Sequence, residues 1–256
     1  MLRHVHALLP NEELIYFADS GFAPYGDKPE SVIVERALAI AAFLITHKVK
    51  AIVVACNTAT AAAIAGLRAH YPQLQVVGVE PGLKPAAALT QSKIVGVLAT
   101  ERTLSSDKFL ALQKQTSEST QVRFVSQACT GLADQIEKGE LQSRETAAMV
   151  QRYVAPLIAE GADTLVLGCT HYPFVQGLIE QVIAGTGKEI ALIDTGDAVA
   201  RQLQRLLMQH HLVRPATDKP TTLSAYTTGS STALALAFST LLGLKPPIRE
   251  VTVRTG

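Results

Sequence analysis

Two short segments of this 256-residue chain share one arrangement: an apolar run, a cysteine, a threonine or an Asn-Thr pair, then a helix-forming stretch. They are Val53-Val54-Ala55-Cys56-Asn57-Thr58 and Val166-Leu167-Gly168-Cys169-Thr170-His171. Each apolar run reads as a strand and each continuation as a helix, which sets both thiols at a strand's carboxyl end beside a helix N-terminus. Ligands of open α/β sheets collect at such ends, and the unpaired backbone N–H groups there favour negative charge, a thiolate included. A cysteine hydrolase needs one thiol and a histidine. A matched pair instead suits proton transfer on opposite faces of one carbon: one thiolate removes the proton beside a carboxylate, and the other thiol delivers a proton. That chemistry requires neither a metal nor an organic cofactor, and the Thr58 and Thr170 hydroxyls with nearby N–H groups would hold the carboxylate. The competing reading is two unrelated buried thiols, and Cys129, which stands in no such motif, reads as a small core hydrophobe.

The elements that must position these residues follow from the hydrophobic pattern. A helix to about Leu9 precedes a strand over 14–17, and a helix over 31–47 precedes the Cys56 strand, after which an Ala-rich helix runs to about Tyr71. Strands over 75–79, 94–98 and 122–125 alternate with helices over 84–89 and 104–114. Helices over 131–138 and 143–160 lead into the Cys169 strand at 164–168, and Pro173 suits the first turn after it. Strands over 190–193, 222–226 and 250–253, with helices over 198–208 and 231–242, complete an α/β chain. Hydrophobic residues make up 48% and charged residues 18%, the balance of a chain with a real core. With 23 basic against 22 acidic residues, the net charge of +1 gives little field for nucleic acid or anionic lipid.

No apolar run reaches the roughly 20 residues of a membrane span, no signal pattern opens the chain, and three scattered cysteines make no disulfide framework. The expectation is a cytoplasmic protein with no nucleic-acid or membrane partner. His4-x-His6 and His210-His211 have no acidic or cysteine partner nearby in sequence and read as solvated, so no metal is expected. Thr228-Gly229-Ser230-Ser231 lacks the spacing of a phosphate loop and reads as a helix cap. Asp19 reads as orienting its own loop through an Asx-type bond, and Glu137, taken alone, as a solvated helix charge.

Four segments, taken in order, resemble the glutamate racemase family over nearly the whole length: Tyr16-Phe17-Ala18-Asp19-Ser20 leading to Pro24-Tyr25-Gly26, Ala55-Cys56-Asn57-Thr58-Ala59, Thr100-Glu101-Arg102-Thr103, and Gly168-Cys169-Thr170-His171-Tyr172-Pro173. The resemblance implies two pseudo-symmetric α/β lobes with mainly parallel sheets and an active-site cleft between them. One lobe would take residues 1–80 with 195–256 and carry Cys56; the other, 81–194, would carry Cys169. Cofactor-independent interconversion of L- and D-glutamate is implied, supplying D-glutamate for peptidoglycan, with Cys56 acting on the D-enantiomer and Cys169 on the L-enantiomer. By similarity Tyr25, Gly26, Asn57, Thr58, Thr100, Thr103 and Thr170 contact substrate, His171 assists Cys169 and also meets substrate, and Glu137 is the acidic residue near that site. No cofactor is implied, and a homodimer is. Aspartate racemase relatives usually show Cys-Thr-Glu where this chain has Cys169-Thr170-His171, which favours glutamate. The alternatives are a racemase for another amino acid such as aspartate, and an impaired amino-acid-binding homologue.

The chain departs from the family at its start. Members usually begin with a strand ending in Asp-Ser-Gly and a Gly-Gly turn, about 20 residues that precede the helix entered here at Met1. That motif's Asp partners the first catalytic cysteine, and Asp19-Ser20-Gly21 matches a later segment rather than replacing it. Phe22 stands where relatives often have Arg. An uncapped helix start at Met1 and an exposed sheet edge favour a truncated start over a natural member, and predict that an upstream-extended chain is more stable and more active.

Overall fold

A computed structural model describes residues 1–23, 25, 28–216 and 221–254. In chain order the elements are α1 (Leu2–Leu8), β1 (Leu14–Ala18), α2 (Glu30–Thr46), β2 (Ala51–Val54), α3 (Asn57–His70), β3 (Gln75–Gly78), α4 (Leu83–Leu89), β4 (Ile94–Ala99), α5 (Glu101–Leu104), α6 (Asp107–Thr120), β5 (Arg123–Ala128), α7 (Leu132–Glu137), α8 (Arg144–Ala159), β6 (Thr164–Leu167), α9 (Gln176–Ala184), β7 (Ala191–Asp194), α10 (Thr195–Gln209), β8 (Leu223–Thr227), α11 (Ser231–Ala237) and β9 (Ile248–Glu250). The chain divides into two compact units, Met1–Val79 with Gly196–Gly256, and Glu80–Thr195.

The Glu80–Thr195 unit is built on one parallel sheet in the order β5-β4-β6-β7, with Val97 opposite both Ser126 and Val166. Its inner strands are apolar at nearly every position, as a parallel sheet covered on both faces requires. Leu98, Leu165 and Leu167 pack on one face against Ile136 of α7, Val150 and Leu157 of α8 and Ile179 of α9. The alternate positions Val95, Val97, Ala99 and Val166 pack on the other face against Leu83 and Ala86 of α4 and Phe109 of α6.

In the other unit the strands, again all parallel, form two separate ladders, β1-β8-β9 and β2-β3. Both ladders feed the same two apolar layers. Ile15 and Phe17 of β1 join Ile52 of β2 and Val76 of β3 against α2 and α3, while Leu14 joins Val53, Val77 and Val79 against α1 and α10. Among the described residues no backbone pairing joins β1 to β2. Lys50, just before β2, meets Glu12, just before β1, in a 2.6 Å ion pair.

Several elements differ from expectation: β5 runs on to Ala128, a 3₁₀ turn over Tyr172–Val175 stands between Cys169 and α9, and three further differences have a local cause. The helix expected to end near Lys114 runs as α6 to Thr120. Its polar tail holds because the Thr116, Ser119 and Thr120 hydroxyls donate back to carbonyls of the preceding turn, and it stops where Gln121 turns left-handed at φ 57°. The helix expected over 231–242 is α-helical only to Ala237 and continues as one π turn, Phe238–Leu242, with Phe238 buried edge-on against Tyr16 at 5.1 Å. The last strand lies at Ile248–Glu250, earlier than 250–253, and the Val253 carbonyl instead accepts from Arg36. No helix among the described residues is long and apolar enough to cross a membrane.

Candidate active site

In the Glu80–Thr195 unit, β6 ends at Leu167 and the Gly168 N–H donates to the Leu98 carbonyl at 2.7 Å. A Cβ at Gly168 would lie 2.8 Å from that same oxygen, so only glycine lets the chain leave the sheet this closely. Cys169 follows, buried, and its carbonyl accepts from the Tyr172 N–H (3.1 Å) as Tyr172–Val175 forms a 3₁₀ turn with Pro173 in its first positions. Cys169 Sγ lies 3.5 Å from His171 Nδ1, and His171 Nε2 lies 2.9 Å from Oε1 of Glu137, the last residue of α7. Burial opposes a charge on His171, yet its bonds to Cys169 and Glu137 push its pKa up to about 10. The bond from His171 in turn holds the Glu137 carboxyl below its usual range against the cost of burial. An imidazolium therefore sits at neutral pH between a carboxylate and a sulfur, donating to both.

In the same unit, Thr100 caps α5, accepting from the Thr103 N–H at 3.3 Å, and the two threonine hydroxyls stand 3.0 Å apart. Thr103 is buried and Thr170 half-buried. Cys129, in the same core cluster as Cys169, has its pKa pushed up to about 12 by burial, the state of a packing thiol rather than a reactive one.

In the other unit Cys56 is the extended N-cap residue of α3, at φ −145° and ψ 126°, directly beyond β2. Its carbonyl accepts the Thr60 N–H at 2.8 Å. The Thr60 hydroxyl donates to the Val54 carbonyl (3.0 Å) and accepts from the Val79 N–H (3.1 Å), stapling the first turn of α3 to the ends of β2 and β3. Asn57 is buried and Thr58 half-buried in that first turn. Tyr25 donates its hydroxyl to Asp19 Oδ2 at 2.5 Å, and burial, the Asp19 bond and the nearby Cys56 sulfur together raise its pKa. Gly26 lies outside the described residues.

Asp19 does not form the Asx-type turn expected of it. The Phe22 and Ala23 N–H groups donate to its backbone carbonyl, while its carboxylate reaches Arg36, Tyr25 and Thr228. Arg36 was not singled out in the sequence, although a signal was there: it falls on the same helical stripe as the buried Ile33, Ala41 and Leu44. Phe22 takes up the place beside it, with the Arg36 guanidinium 5.0 Å and the Lys28 ammonium 4.5 Å from its ring centre.

A model of the Asp/Glu/hydantoin racemase family matches residues 1–203. The chain belongs to that family. Over 243 residues, 95% of this chain and 90% of the relative, it is 50% identical to the glutamate racemase of Ectopseudomonas mendocina. A glutamate racemase isoform of Bacillus anthracis superposes with a TM-score of 0.86 at 27% identity, covering 100% of this chain and 93% of that one. The Escherichia coli glutamate racemase, solved with L-glutamate and the activator UDP-MurNAc-ala, gives 0.84 at 29% identity over 99% and 93%. In this member of the Asp/Glu/hydantoin racemase family each of the two sequence-related motifs thus places a cysteine two residues beyond the end of a parallel strand.

Proposed function

We propose that this chain interconverts L- and D-glutamate, with Cys56 and Cys169 as the two acid–base groups. The observation that carries the reading is the Glu137–His171–Cys169 line, which keeps a positive imidazolium against one thiol of a matched pair. Half identity to a glutamate racemase over 95% of the chain supports glutamate as the substrate.

In the direction from L to D, Cys169 as thiolate removes the α-proton and Cys56 as thiol delivers one to the opposite face; the reverse reaction exchanges the roles. The proton held on His171 offsets negative charge at Cys169 while that sulfur acts as base, and Glu137 fixes the ring so that Nδ1 faces the sulfur. Tyr25, Gly26, Asn57, Thr58, Thr100, Thr103 and Thr170, with His171, are the proposed substrate contacts, and their hydroxyl and amide groups suit carboxylates and an ammonium. The reading places the enzyme in the cytoplasm as a supplier of D-glutamate for peptidoglycan, with a homodimer as the assembly to test by light scattering.

The test is incubation of each enantiomer of glutamate with the protein in deuterated water, followed by proton NMR of the α-position and circular dichroism of the pool. Exchange with racemisation from both enantiomers is expected, and its loss in Cys56→Ala and in Cys169→Ala. Full racemisation by either variant would refute the two-thiol assignment. Racemisation of aspartate in preference to glutamate would replace the substrate, and binding without exchange would point to a protein that keeps the pocket alone.

A further inference from the structure

Asp19, just beyond β1, carries more hydrogen bonds than a loop carboxylate needs. Oδ1 accepts from Arg36 Nη2 (2.6 Å) and the Thr228 hydroxyl (2.8 Å); Oδ2 accepts from Arg36 Nε (2.8 Å) and the Tyr25 hydroxyl (2.5 Å). Both members of the ion pair are buried, with side-chain exposures of 7% for Arg36 and 6% for Asp19. The remaining arm of Arg36 donates to the Val253 carbonyl, which ties β1, α2 and the segment after β9 to one guanidinium. Although burial opposes the charge on Asp19, Arg36, Tyr25 and Thr228 hold its carboxyl below the usual range. Taking such a pair out of water costs several kcal/mol per ion, and its stability gain over apolar residues is small, so a bidentate buried pair points to a fixed geometry rather than to stability.

What that geometry fixes is Tyr25. Its hydroxyl proton is committed to Asp19, which leaves the phenol unable to act as an acid toward a substrate, and it stands in the unit that carries Cys56, where the sulfur adds to the rise of its pKa after burial and the Asp19 bond. We propose that Asp19, clamped by Arg36 and Thr228, is a positioning residue for the Cys56 half of the reaction, acting by fixing where the Tyr25 side chain stands in the unit that carries that thiol. The assignment rests on reading Cys56 as one of the two reacting groups.

The experiment compares Asp19→Asn, Tyr25→Phe and the double variant in three readouts: kcat and KM for each enantiomer, iodoacetamide alkylation of Cys56 and Cys169 followed separately by peptide mapping, and thermal melting. A bond to a charged group is at stake, so each single variant should lose about tenfold in kcat/KM. Cys56 alkylation should rise about threefold in each, with Cys169 alkylation unchanged. The double variant should be no worse than the poorer single one within about twofold, because both substitutions release the same ring. Tyr25→Phe keeps the ion pair and carries the test should Asp19→Asn fail to fold. Unchanged Cys56 alkylation in both singles, or parallel changes at both thiols with multiplying losses in the double, would overturn the proposal. Should the parent protein racemise neither enantiomer, the proposed function fails, while the alkylation pattern still decides the clamp.

Discussion

The His171 imidazole should titrate far above the ordinary value of 6.5, near 10, and the two partners should contribute unequally. Glu137 stands 2.9 Å from the ring, but its side chain is 64% exposed. A solvent-screened ion pair of that kind contributes about 0.2–1 kcal/mol. At 1.36 kcal/mol per pKa unit, that is at most about 0.7 unit. Glu137→Gln should therefore lower the titration midpoint by about half a unit, while Cys169→Ser, which removes the polarisable sulfur 3.5 Å from Nδ1, should lower it by clearly more. The assay is the pH dependence of the His171 ring resonances in long-range proton–nitrogen NMR, with the other histidines assigned by substitution. Because the folded pKa is raised, the stability contributed by this group is fully present below about 6.5 and is lost as pH climbs through about 10. A midpoint at or below 6.5 in the parent protein, or equal small shifts in the two variants, would refute the argument that the sulfur holds the imidazolium.

Three further outcomes follow from the same geometry. Gly78→Ala would set a Cβ 2.4 Å from Thr60 Cγ2, pushing aside the staple beneath Cys56; a loss of about 1–3 kcal/mol in denaturant melts and a matching fall in activity are expected. Asp163, which accepts from the Thr90 hydroxyl and the Gln91 and Ser92 N–H groups against the cost of burial, has its pKa lowered to about 2. Asp163→Ala should thus cost about 1 kcal/mol at neutral pH, with the gap to the parent closing as pH falls from about 4 through about 2. Tyr172→Phe removes a buried hydroxyl that has no oxygen or nitrogen partner among the described residues and faces the weakly accepting Cys129 thiol; thermal melting should show equal or slightly higher stability.

The sequence disclosed what is periodic or local. Both cysteine motifs and their strands could be placed because an apolar run is written in consecutive residues, and so could the start of α3 at Cys56; the helix expected directly after Cys169 is instead a 3₁₀ turn over Tyr172–Val175 that precedes α9. Ser230 caps α11 as its motif suggested, accepting from the Ala233 N–H at 3.2 Å. Glu137 was another matter. Alone in Ile136-Glu137-Lys138 it is an ordinary helix-end charge, and only family resemblance marked it before the 2.9 Å contact with His171 did. Asp19 was misread because a carboxylate before a turn satisfies a local rule, whereas beside Tyr25, six residues on, its partners come from α2 and from beyond β8, distances in sequence that no local rule spans. The tail of α6 was missed because Ser and Thr read as helix stops unless their hydroxyls turn back onto the helix's own carbonyls. Which strand pairs with which carries no local signal at all, so the division into two ladders could not be anticipated.

That division means the two chemically matched thiols stand on mounts of unequal stiffness. Cys169 rises from β6, held on both flanks by β4 and β7, whereas Cys56 rises from β2, whose ladder partner is β3 alone among the described residues. An interior strand moves only with its whole sheet; a strand in a two-membered ribbon can shear against its covering helices and exchanges its outward amides more readily. Thermal motion should accordingly blur the aim of Cys56 more than that of Cys169, the two groups proposed above to move the proton. A pair of identical functional groups can then have different tolerances to error: the same small disturbance, harmless beneath the firm mount, would be felt as lost turnover when it falls beneath the loose one.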